Sequence, residues 1–172
     1  MKSKQYFIAA MCCLYGLINT SCGIFHPPER ENGYLVSHYY SCGPQALEKA
    51  LRLYSEKHGI KFKRSYTQKE LSIEIQDSIF LDLREFLVLL NKDASQITWP
   101  NEIKQTLKVR GIKVVEIKSI EELDKHKDVA IILIHKKGAL TSYHWIAYPV
   151  DNIQYYYDKT VIDRIFLLKP IH

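Results

Sequence analysis

The chain has 172 residues, of which 47% are hydrophobic and 25% charged, with a formal charge of +5. This suits one folded domain with an ordinary mixed-charge surface. Removing Lys2 and Lys4, the only charges before Cys22, lowers the balance to +3, and no long basic run follows, so charge gives no ground for a nucleic-acid partner.

The chain opens on basic "MKSK", continues with the apolar run "YFIAAMCCLYGLI" to Ile18, and passes into polar "NTSC". A basic start, a short apolar core and small residues after it predict a bacterial signal peptide over 1–21. The run is shorter than the roughly 20 residues needed to span a bilayer. Thr20 and Ser21 are small, as before the acylated cysteine of a bacterial lipoprotein, although Asn19 stands where Leu is usual. The expectation is a lipidated Cys22 that holds the protein on a membrane of the cell envelope, with a secreted or periplasmic protein as the alternative. The Pro-containing stretch "GIFHPPEREN" then reads as a tether over 22–33, ahead of a domain over 34–172. Of the four cysteines, Cys12 and Cys13 leave with the signal peptide and Cys22 carries lipid. Cys42 remains as an unpaired thiol in an exported domain, which calls for a reason.

After the tether, Pro44 to about His58 predicts a helix: Pro suits the first turn, Ala46, Leu47, Ala50, Leu51 and Tyr54 fall at helical spacing, and Gly59 stops it. Thr67 with Glu70 forms a capping box for a second helix carrying Leu71, Ile75 and Ile79 on one face. "DLREFLVLLN" (82–91) gives a third helix, and "TWPNEIKQTLKVRG" a fourth between Pro100 and Gly111. The period then changes. "IKVVEI" (112–117) is a strand, Ser119 with Glu122 caps a short helix, and "VAIILIH" (129–135) is an apolar, central strand. "YHWIAYPV" (143–150), "IQYYYD" (153–158) and "VIDRIFLL" (161–168) complete the strands. Helices first and strands later predict an α+β domain, its opening helix packed on a mostly antiparallel sheet.

Three residues stand where a cysteine hydrolase needs them. Cys42 lies at the tip of the first long helix, where the helix dipole and unpaired N–H groups favour a thiolate. His144 opens a strand, and Asp158 ends the next. A three-residue loop at Val150-Asp151-Asn152 places His144 opposite Asp158 on one face; a two-residue loop at Asp151-Asn152 pairs His144 with Lys159 instead and turns Asp158 away. The other histidines, His26, His58, His126, His135 and His172, show no ligand-like pairing with cysteine or acids, so no metal or other cofactor is expected.

"YYSCGPQAL", then helices, then "HWIAYP", then "YYYD" resembles the papain-like bacteriocin-processing peptidases, over residues 34 to 168. Those enzymes cleave leader peptides after a double glycine. The resemblance implies a papain-like cysteine peptidase fold in which Cys42 is the nucleophile, His144 the general base and then acid, and Asp158 the group that orients it. It also implies a peptide or amide substrate in a groove, and a monomer is expected. One position departs: the family's oxyanion-binding Gln, six residues before the cysteine, is here Val36. That leaves room for a slow enzyme, for another donor such as His38 or Ser37, or for an inactive relative. A cell-wall amidase or acyltransferase on the same site is a close variant. A non-enzymatic binding lipoprotein with a lapsed site is the alternative from another class.

Overall fold

The computed structural model describes residues 28–77, 81–90, 96–138, 143–149 and 160–170. The folded part begins with a tight hairpin, β1 (Arg30–Glu31) and β2 (Tyr34–Leu35). Asn32 and Gly33 take left-handed backbone, φ 51° and 90°, which a two-residue turn of this kind requires. The hairpin lies partly within the stretch expected as tether. It is held by Arg30 on Glu85 and by Lys69 on Glu31.

A one-turn helix α1 (Val36–Tyr39) leads into α2 (Cys42–His58). The latter starts two residues before Pro44, so Cys42 rather than Pro44 is its first residue. Gly59 ends it with φ 63°. Thr67 caps α3 (Gln68–Gln76) by accepting from the Glu70 N–H. Helix α4 spans Leu81–Leu90 and α5 spans Pro100–Lys108.

The second half forms a four-stranded sheet from β3 (Ile112–Ile117), β4 (Ala130–Lys136), β5 (Tyr143–Tyr148) and β6 (Thr160–Pro170). The order is β3-β6-β4-β5, and every pairing is antiparallel. The expected short helix after Ser119 is a single 3-10 turn over Ile120–Glu122. The expected strand 153–158 and its hairpin with β5 lie outside the described residues, as do 1–27 with Cys22. The protein is thus an α+β domain, with β4 inside the sheet.

Alternation along the strands divides the core. Ile131, Leu133, Trp145, Ala147, Phe166 and Leu168 pack against Leu47, Leu51, Leu71, Ile75, Ile103 and Leu107 from the helices. Ile132, Ile134, Ile146, Ile165 and Leu167 pack with Leu123 on the other face. Burial on both faces accounts for the unbroken apolar run in β4. It also fixes α2 across β5, which is what brings the helix tip to the end of that strand. No helix among the described residues is long and apolar enough to cross a membrane.

Candidate active site

Cys42 is a free, half-buried cysteine at the first turn of α2. Ser41 precedes it in extended backbone, and its hydroxyl turns back to donate to the His38 carbonyl at 2.9 Å. The first N–H groups of the helix are therefore left to the cysteine. Backbone N–H groups of Trp145, Cys42 and Gly43 act on the Cys42 sulfur and favour its thiolate. The Trp145 N–H belongs to the peptide bond that joins it to His144. The helix tip thus meets β5 at the residue pair that carries the candidate base.

Cys42 and His144 line one cavity of about 840 Å³, together with residues of three further segments: Gln96–Pro100, Leu133 of β4, and Tyr143 and Trp145 of β5. By strand parity His144 belongs with Ile146 and Ile134, on the face turned away from α2. It reaches the cavity from one residue inside the end of β5. Among the described residues, no hydrogen bond joins its ring to the Cys42 sulfur.

Burial controls the charge of both groups. It pushes the Cys42 thiol above its ordinary value, and the three N–H groups offset this only in part. It pulls the His144 imidazole below the usual histidine value. This corrects the expectation that the helix tip would favour a thiolate: the cost of removing a charge from water exceeds the gain from the helix end. The resting pair at neutral pH is a thiol and an uncharged imidazole.

The cavity wall facing Cys42 is segment 97–99, and it is pinned by buried polar groups from four elements. The Trp145 indole N–H donates to the Thr98 carbonyl at 2.9 Å. Arg84 Nη2 donates to the Ile97 carbonyl at 3.3 Å and to Glu102 Oε1 at 2.5 Å. Glu102 Oε2 accepts from the Trp99 N–H at 2.7 Å. His38 Nε2 lies 3.2 Å from both the Ile97 carbonyl and Thr98 Oγ1, and His38 Nδ1 lies 2.7 Å from Ser72 Oγ. A carbonyl can only accept, so the Nε2 contact with Ile97 assigns the proton to Nε2 and makes Nδ1 the acceptor of the Ser72 hydroxyl. Gly43 lets this wall approach. A Cβ there would stand 2.7 Å from Thr98 Cγ2 and closer still to Thr98 Oγ1 and Cβ.

These contacts place the two expected oxyanion donors away from the chemistry. His38 is fully buried, both its ring nitrogens face partners in the core, and it does not line the cavity. Ser37 does not line it either. The side-chain amides that do are Gln45 and Gln96, which the sequence reading missed. Gln45 had a signal: it lies three residues after Cys42, on the same helix side. Its Nε2 donates one N–H to the Tyr40 carbonyl at 2.9 Å.

Asp158 and Cys22 lie outside the described residues. Asp163 bonds His135, with Oδ2 2.6 Å from Nδ1, so that histidine has an acidic partner the sequence did not reveal. Among the described residues, no group of three or more His, Cys, Asp or Glu could hold a metal ion. No protein-family model, curated protein or solved structure matches the chain.

Proposed function

We propose that the protein is a papain-like cysteine hydrolase acting on a peptide or amide bond. One observation carries this reading: the Cys42 sulfur sits at a helix N-terminus against the N–H of the His144–Trp145 peptide, and Cys42 and His144 share one cavity. His144 accepts the thiol proton as the sulfur attacks the carbonyl carbon. The resulting oxyanion meets the Cys42 backbone N–H and the second N–H of the Gln45 amide. Collapse of this intermediate expels the amine, which takes the proton back from His144, and leaves a thioester on Cys42. Water then gives a proton to His144, attacks the thioester, and releases the acid and the thiol. Asp158 is the group assigned to orient His144.

The experiment is a burst assay with p-nitrophenyl hexanoate. A burst of nitrophenol, with the acyl mass on Cys42 and loss of both in His144→Ala, is expected. Acylation that is absent, or equal in the variant, overturns the reading.

A second reading, a binding protein with a lapsed site, is favoured by Val36, by the raised thiol and by the missing sulfur–imidazole bond. It requires ligand binding without a burst. In either case the chain is proposed to sit on a membrane through lipidated Cys22. Metabolic labelling with a fatty-acid probe should mark the wild type and not Cys22→Ala, and equal labelling of both sinks the anchor.

A further inference from the structure

We infer, on the cysteine-hydrolase reading above, that the cavity selects a substrate carrying a large uncharged apolar or aromatic side chain beside the scissile carbonyl, rather than a pair of glycines.

The lining supplies the first argument. None of the described residues around the cavity is Asp, Glu, Lys or Arg. A charged substrate group placed against these residues would lose its water without gaining a counter-charge from them.

Shape supplies the second. About 840 Å³ lies within the size range of ligand-binding clefts, and far exceeds what two glycines fill. A site selective for glycine must be too narrow for anything else.

Exposure supplies the third. Tyr40, Ile97 and Tyr143 are three of the eight large hydrophobics left exposed among the described residues, and all three line this cavity. Apolar surface concentrated at one hollow marks a place where something apolar binds.

The walls are also fixed rather than free to collapse into the space. The Trp145 indole is held by the Thr98 carbonyl. The Tyr143 ring leans on His135, 5.4 Å between centroids, and His135 is itself held by Asp163. A preformed apolar wall loses little freedom when an apolar side chain enters.

The test uses N-acetyl dipeptidyl chloromethyl ketones of one length, with inactivation followed as mass added to Cys42. Rates are divided by the iodoacetamide rate, which reports thiol reactivity without side-chain selection. Ketones carrying Leu or Phe should react at least about tenfold faster than Gly-Gly, a factor worth about 1.4 kcal/mol. Ketones carrying Asp or Lys should react no faster than Gly-Gly. In Ile97→Asp the Lys ketone should gain at least threefold on the Phe ketone. A Gly-Gly ketone that equals or beats Leu and Phe, while still slowed by His144→Ala, overturns the substrate class and leaves the hydrolase standing. Ketones that label Cys42 at the same rate with and without His144 overturn the hydrolase reading and this inference with it.

Discussion

Gly43→Ala tests the packing on which the site depends. In isolation the change should help, because Gly in a helix costs about 1 kcal/mol relative to Ala. In this fold it should harm. The new Cβ falls within 3 Å of Thr98 Oγ1, Cβ and Cγ2, the last at 2.7 Å. Rotating the Thr98 side chain cannot relieve a clash that includes its Cβ, so the backbone of 97–99 must move. That segment is tied to Trp145, Arg84, His38 and Glu102. Overpacking of this kind costs typically 1–3 kcal/mol. With helix propensity set against it, the net loss is about 1 kcal/mol. In a domain of this size that lowers Tm by roughly 2–4 °C.

The partner substitution sharpens the test. Thr98→Ala keeps the clashing Cβ and should rescue little. Thr98→Gly removes it, at the cost of a hydrogen bond to His38. The Gly43→Ala/Thr98→Gly double variant should therefore be more stable than the sum of its parts predicts, by about 1 kcal/mol or more. Thermal and urea unfolding of the five proteins measure this. A Gly43→Ala protein as stable as wild type, or strict additivity with Thr98→Gly, would refute the close approach.

Two further predictions concern protons. Alkylation of Cys42 by iodoacetamide should rise with pH to a midpoint above that of a free thiol, about 8.5, because burial holds the thiol up; a reactive plateau between pH 5 and 8 would show an ion pair instead. His38 is lowered from 6.5 to about 3, first by burial and then by the nearby Arg84 cation. The unfolded chain then binds more protons than the folded one below pH 6.5, so stability present above that pH is lost as pH falls toward 3, on the order of 5 kcal/mol in full. His38→Gln should flatten this acid slope while lowering stability at pH 7, and identical slopes in urea titrations would refute the assignment.

The architecture was legible because its periodicities are plain. Ala46, Leu47, Ala50, Leu51 and Tyr54 bury one side of α2, and "IKVVEI" is β3 to the residue. The apolar run in β4 foretold an interior strand. What was hidden depends on contacts between distant residues. Nothing local says that Gly43 faces Thr98, that Arg84 in an apolar helix meets Glu102, or that His135 meets Asp163 across a register shift between β4 and β6. His38 looked like a donor because it is polar and four residues before Cys42. The one-turn helix α1 directs it inward to Ser72 instead. Helix-tip position was legible at Cys42, but depth of burial was not, and burial decides the direction of its pKa.

That direction bears on how the site could work. A thiolate–imidazolium pair is ready to attack but must be sustained in a half-buried place. With the thiol raised and the imidazole lowered, the neutral pair is the resting form, and on the proposed hydrolase reading the proton moves only as the carbon–sulfur bond forms. The His144 ring is competent as a base only when uncharged. The acid limb of hydrolysis should therefore lie below the usual histidine value of about 6.5, with the rate falling as pH drops through it. An apolar side chain entering the cavity would displace further water from both groups and favour the neutral pair more strongly. Substrate binding would then delay charge formation until the oxyanion appears, when the Cys42 N–H and the Gln45 amide can meet it. On this account Gln45→Ala lowers kcat by about 10²-fold and leaves KM nearly unchanged, as expected for a donor used only in the transition state. A rise in KM at constant kcat would make Gln45 a binding residue and return the oxyanion to the backbone alone.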